Sequence, residues 1–171
     1  MRHIELITTG GTIEKTYDEM TGALTNRKPI VERMLRRLKL VDTEVRHRPL
    51  LHKDSLDMTD EDRQLIVAEV REAIKTADGV LVLHGTDTLC VTGELLHTEF
   101  PTVRVPVVLT GAMRPFEMIR SDALQNLTEA LLATSLLPPG VYVAAHGRTL
   151  RFPGVVKDRQ AGTFRAGSPA R

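Results

Sequence analysis

One cysteine, no tryptophan and no long apolar run set the first limits on this sequence. With Cys90 alone, an intramolecular disulfide is excluded, and the composition fits a reducing compartment. No stretch approaches the ~18 consecutive apolar residues of a membrane-spanning helix, so no membrane partner is expected. Two tyrosines and four phenylalanines are too few for stacking along single-stranded bases. Net charge is lacking as well. Lys plus Arg total 23 against 22 Asp plus Glu, and the resulting +1 selects no partner by its sign. The N-terminus, MRHIELITTGG, enters a strand pattern directly, without the basic start, apolar stretch and small-residue cleavage site of a secretory leader. The expectation is a cytoplasmic globular protein.

What charge there is lies unevenly. Arg27 to Arg48 holds eight Lys/Arg against three Asp/Glu, and His146 to Arg171 holds six against one. Such patches attract polyanions in some proteins. More often they are solvated helix faces and tails, so no nucleic-acid partner is expected here.

The 171 residues, 42% of them hydrophobic, suffice for one compact domain and its core. HIELITT, GVLVLHG, VPVVLTG and VYVAAHG are short apolar runs of the kind buried on both faces, and TEVRHRPLL alternates as a half-buried strand does. Helical periods separate them. NRKPIVERMLRRLKL has Pro29 near a helix start, with Ile30, Met34, Leu35 and Leu38 on one face. MTDEDRQLIVAEVREAIKTADG has Thr59 as cap, three acidic residues in its first turn, and an inward stripe of Ile66, Val70, Ala73 and Ala77. TLCVTGELLHTEF and SDALQNLTEALLAT, the latter capped by Ser121, complete the set. Apolar strands alternating with helices predict an α/β fold: an open, mostly parallel sheet flanked by helices, Rossmann- or flavodoxin-like. The C-terminal stretch, RFPGVVKDRQAGTFRAGSPAR, reads as a short hairpin followed by loop.

The strands end alike. TTGG, LHGTD, LTGAMRP and AAHGR each put a glycine among polar residues at a strand's carboxyl end, where open α/β sheets bind ligands. TTGGTIEK is neither a Walker loop nor a dinucleotide fingerprint. Its paired glycines let the backbone adopt unusual dihedrals, and Thr12 follows them directly. In HGTDT, Thr86 and Asp87 stand at a strand end; the plain alternative is that they only start a helix. His84, late in an apolar strand, reads as a satisfied core histidine, and Cys90 as a small buried hydrophobe. No His/Cys/carboxylate spacing suggests a metal. Two hydroxyl loops beside a lysine and a carboxylate would make a nucleophile, base and orienter set.

TTGGTI (Thr8 to Ile13) together with LHGTDT (Leu83 to Thr88) resembles the paired signature of bacterial-type L-asparaginases. DSLDM, TGAMRP, SDALQNL and VVKD fall in that family's order, and the resemblance covers nearly the whole sequence. It implies an amidohydrolase converting L-asparagine and water to L-aspartate and ammonia, with no metal or organic cofactor. Thr12 matches the nucleophile that becomes acylated, and Tyr17, in a lid with Gly22 as one hinge, its neighbour in the first catalytic set. Thr86, Asp87 and Lys157 match the second set, which handles the water. Asp87 would also hold the substrate ammonium and Ser55 its α-carboxylate, with the Gly11 and Thr86 backbone N–H groups stabilising the oxyanion.

The resemblance also has gaps. The family carries a second, smaller domain that sends an acidic residue into the first catalytic set. Residues 1–160 correspond to the amidohydrolase domain, and 161–171 form a tail where the interdomain linker would begin. Glu14, Asp18 and Glu19 are the local acids available to stand in; otherwise Tyr17 works alone. Val156 replaces a more usual threonine before Lys157. The alternatives are a non-catalytic amino-acid-binding domain and a subunit of a tRNA-dependent amidase. A homo-oligomer, dimer or larger, is expected, because a missing domain leaves apolar surface to cover.

Overall fold

The computed structural model describes residues 1–26 and 30–167. Pro29 and the last four residues of the tail lie outside the described residues. The chain runs β1 (Arg2–Gly10), a hairpin of β2 (Thr16–Asp18) and β3 (Ala23–Thr25), α1 (Val31–Leu35), β4 (Thr43–Lys53), α2 (Asp60–Ala73), β5 (Gly79–Leu83), α3 (Leu89–Glu99), β6 (Pro106–Thr110), α4 (Ala123–Leu136), β7 (Gly140–Ala145), β8 (Arg148–Arg151), β9 (Val155–Asp158) and β10 (Thr163–Ala166).

Six strands form one sheet in the order β4-β1-β5-β6-β7-β8, parallel throughout except for the β7–β8 pair. The predicted α/β fold is therefore present. Every residue of β5, β6 and β7 is buried, as their unbroken apolar runs required. Side chains alternate between two cores. Ile7, Val80 and Val82 meet Ile66 and Val70 of α2 on one face, whereas Ile4, Leu6, Leu81 and Leu83 share the other with Met34 of α1 and Leu127 of α4.

The placement of α1 and α3 decides where a ligand would bind. The β1-to-β4 connection carries α1 on one face, and the β5-to-β6 connection carries α3, with Leu89 and Leu96 inward, on the other. The loops leaving the adjacent strands β1 and β5 therefore diverge, opening a crevice at the carboxyl end of the sheet.

Local signals hold where the chemistry is short-range. The Thr59 hydroxyl accepts from the Asp62 N–H, and the Asp62 carboxylate accepts in return from the Thr59 N–H at 2.9 Å, a complete capping box. At α4 the expected cap sits one residue early: Ser121 Oγ accepts from the Ala123 N–H at 3.0 Å, but the cap position belongs to Asp122. Two further expectations need correction. The helix expected through Leu38 is only five residues long, although Ile30 and Met34 are buried as its stripe required. The chain then turns through Asp42, at φ 53°, to reach the edge strand. AAHGR is a hairpin as well as a strand end. Ala145 pairs with Arg148 across His146 and Gly147, whose φ of 56° and 76° are the two positive values of a type I′ turn.

Candidate active site at the switch point

Glycines bring the loops together. Gly11 has φ +79°, and a Cβ there would lie 2.5 Å from the backbone of Gly85. A Cβ on Gly85 would lie 2.6 Å from the Ser55 side chain, and one on Gly111 would lie 2.3 Å from the His84 carbonyl oxygen. The loops after β1, β4, β5 and β6 thus meet at a closeness only glycine permits. Thr12 and Thr86 each follow a member of the touching Gly11–Gly85 pair by one peptide step of ~3.8 Å. The two threonine loops share one crevice.

On the β5 side the predicted set is assembled. Lys157 Nζ donates to Thr86 Oγ1 at 2.8 Å and to Asp87 Oδ1 at 2.9 Å. Thr86 is buried, and the Lys157 side chain is 14% exposed, so the contact is sheltered from water. The lysine arrives on β9, some seventy residues away in sequence. Its hydrogen bond, partly opposed by burial, holds the Asp87 carboxyl below the usual carboxylate range. Arg159 Nη1 reaches the same Asp87 Oδ1 at 2.9 Å.

His84 stabilises this loop from below. It is fully buried, and burial pulls its imidazole down to about 4, so the ring is neutral near pH 7. Nδ1 lies 2.8 Å from the Gly85 carbonyl, which only accepts, so Nδ1 carries the hydrogen and Nε2 accepts from the Thr92 hydroxyl at 2.8 Å. The core reading of His84 therefore holds, with the added task of fixing the Gly85 peptide. Ser55 is 1% exposed; its Oγ accepts from the Thr88 N–H at 3.3 Å, and its carbonyl accepts from the Thr88 hydroxyl at 2.9 Å. Next to it, the Lys15–Asp54 ion pair at 2.6 Å ties the β1 loop to the Ser55 turn. Cys90 is half-buried, and burial pushes its thiol up to about 11, as befits a packing residue.

On the β1 side, Thr12 begins a single 3-10 turn (Thr12–Glu14) and is half-buried. Tyr17 is 58% exposed on the β2–β3 hairpin, with its hydroxyl 3.9 Å from where a Gly22 Cβ would be. One role expected of Gly11 is corrected by its hydrogen bonding. Its N–H donates to the Lys53 carbonyl at 2.9 Å and is already committed, so Gly11 serves close approach rather than anion binding.

Three residues gain roles that their sequence positions did not assign. Glu14 is 3% exposed, and its Oε2 accepts from the Gly10 N–H at 2.9 Å, so its carboxyl braces the Thr12 loop from beneath. His146 bridges Asp122 Oδ2 (2.8 Å) and Thr163 Oγ1 (2.9 Å), anchoring the β9–β10 hairpin that carries Lys157. Arg159 adds a second cation to Asp87. Arg159 lies in the turn just after β9, where strand periodicity gives no signal of its partner.

Residues 3–166 match the family described as "Asparaginase, N-terminal". The sequence is 37% identical over 138 residues to an L-asparaginase of Thermococcus kodakarensis, a match covering 80% of this chain and 42% of that protein. It is 36% identical over 149 residues to the D subunit of the glutamyl-tRNA(Gln) amidotransferase of Haloquadratum walsbyi, covering 85% of this chain and 33% of that one. The fold superposes on the thermostable L-asparaginase from Thermococcus kodakarensis with a TM-score of 0.85 at 30% identity, over 96% of this chain and 51% of the other. The chain thus spans about a third to a half of the length of these relatives.

Proposed function

We propose, because the chain belongs to the asparaginase family through its N-terminal domain, that it is an amidohydrolase converting L-asparagine and water to L-aspartate and ammonia. Thr12 Oγ attacks the carbonyl carbon of the side-chain amide, the Thr12 hydroxyl proton passes to the amide nitrogen, the C–N bond breaks, and ammonia leaves. Thr12 is then an ester of the substrate. A water held by Thr86 attacks that ester and restores the hydroxyl. Lys157 fixes the Thr86 hydroxyl, and Asp87 fixes Lys157. With the Gly11 N–H committed elsewhere, the Thr86 N–H is the remaining candidate of the original pair for the oxyanion. Exposed Tyr17 completes the first set as the β2–β3 hairpin closes over the crevice.

The observation that carries this reading is the meeting of Lys157 with both Thr86 and Asp87 at the switch point where Thr12 also lies. The test is ammonia release from L-asparagine and L-glutamine by the purified protein and by Thr12→Ala and Thr86→Ala. Each substitution should reduce turnover by on the order of a thousandfold or more, with circular dichroism unchanged. Wild-type turnover in a folded variant removes that threonine from the mechanism. Preference between the two amides rests on one methylene, ~1–3 kcal/mol, so both are assayed.

A second reading is favoured by the match to the D subunit of an amidotransferase. In that case the same chemistry releases ammonia for use by a partner protein. Turnover rising severalfold only when a partner is added would separate this from free asparagine hydrolysis.

A further inference from the structure

Asp87 is the residue that the family resemblance assigns to the substrate ammonium, and its carboxylate already accepts from two cations. One oxygen, Oδ1, accepts from both Lys157 Nζ and Arg159 Nη1, each at 2.9 Å. Lys157 is part of the catalytic set and sheltered; Arg159 belongs to neither threonine loop and is 69% exposed. The neighbouring charges do not offset this second cation. Asp158 pairs with Arg165 at 3.3 Å, and Asp54 pairs with Lys15 at 2.6 Å. An ammonium that hydrogen-bonded the free oxygen of Asp87 would sit within roughly 6 Å of two cations sharing one carboxylate. That arrangement disfavours a third positive charge.

Resting on the hydrolase reading above, we propose that Arg159 sets the substrate class. The site takes side-chain amides whose α-nitrogen is uncharged, such as N-acylated asparagine or asparagine preceded by a peptide bond, ahead of the free amino acid. Arg159 does this in two ways. Its charge neutralises the remaining pull of Asp87 on an ammonium. Its unused N–H groups, exposed at the mouth of the crevice, donate to the acyl carbonyl or to an anionic group beyond it. The exposure also matters sterically, because an acyl extension there runs out into solvent rather than into the core. The bond broken remains the C–N bond of the side-chain amide, and water still supplies the oxygen.

The test pairs turnover with binding. Ammonia release is measured for N-acetyl-L-asparagine and L-asparagine with wild type and Arg159→Gln. Calorimetry measures N-acetyl-L-aspartate and L-aspartate binding to Thr12→Ala, with and without Arg159→Gln. The wild-type site should favour the acetylated member of each pair by on the order of tenfold, and Arg159→Gln should bring that ratio down by about fivefold or more. A preference for the free amino acid, an unchanged ratio in Arg159→Gln, or no binding of either ligand overturns the assignment. Discriminating binding without ammonia release from any amide leaves Arg159 in its role and overturns the hydrolase reading instead.

Discussion

Replacing Glu14 with glutamine isolates the charge of a buried carboxyl from its hydrogen bonding. The group lies beneath the Thr12 loop, 3% exposed, with Oε2 accepting from the Gly10 N–H. Burial pushes it up from 4.5 to about 7, outweighing the Gly10 and Thr8 hydrogen bonds that act in the opposite direction. Beyond the Thr8 hydroxyl, which also hydrogen-bonds Glu14, stand His47 on β4, with Nε2 3.0 Å from that hydroxyl, and Glu32 on α1, 3.9 Å from the other side of the ring. Between the unfolded and folded values the folded chain keeps a proton that the unfolded chain has released. The stability this group contributes is complete below the unfolded value and is lost as pH rises through about 7. A shift of roughly 2.5 units at 1.36 kcal/mol per unit sets a ceiling of ~3 kcal/mol. Glutamine stays neutral and can still accept from Gly10, so Glu14→Gln should lack this slope. Urea unfolding of both proteins from about pH 5 to pH 8 should show the variant gaining about 2 kcal/mol on wild type across the range. A constant difference, or one that shrinks as pH rises, would mean that the carboxyl does not titrate near neutrality inside the fold.

Two further substitutions probe the geometry. Gly11→Ala places a methyl 2.5 Å from the Gly85 backbone at a φ of +79°, and should cost about 2 kcal/mol or more in urea unfolding. Because it also parts the two threonine loops, kcat/KM for ammonia release should fall by more than the unfolded fraction accounts for. His146→Asn keeps a residue tolerant of the φ of 56° while removing the bridge from Asp122 to Thr163. Amide exchange in residues 163–166 should then quicken about tenfold or more, with kcat falling and the central strands unaffected.

The sequence made the scaffold legible because its signals are local. Unbroken apolar runs in β5, β6 and β7 can be buried only on both faces, and Thr59 with Asp62 writes a helix start in four residues. The crevice was legible because each strand end carried its own glycine. The helix after Pro29 was overestimated because its stripe of Ile30, Met34, Leu35 and Leu38 also fits a short turn packed against the sheet. Pairings across the fold were a different matter. The meeting of Lys157 with Thr86 came from family resemblance, since some seventy residues and a change of element separate them. The Arg159–Asp87 pair, the His146 bridge and the Glu14 brace left no periodic or compositional trace. The commitment of the Gly11 N–H to Lys53 depends on β4 running parallel beside β1, a fact of register rather than of residue type.

The hairpin of β9 and β10 is not part of the six-stranded sheet. It is held by buried Val155 and Phe164, the His146 bridge, and the Glu94 carboxylate that accepts from the Gly154 N–H. One half of the proposed active centre therefore rides on a hairpin that shares the core through Val155 and Phe164 but no ladder with the main sheet. Local opening of that hairpin would withdraw the amine from Thr86 while the pairings of the six-stranded sheet stay in place, so loss of the lysine contact does not require global denaturation.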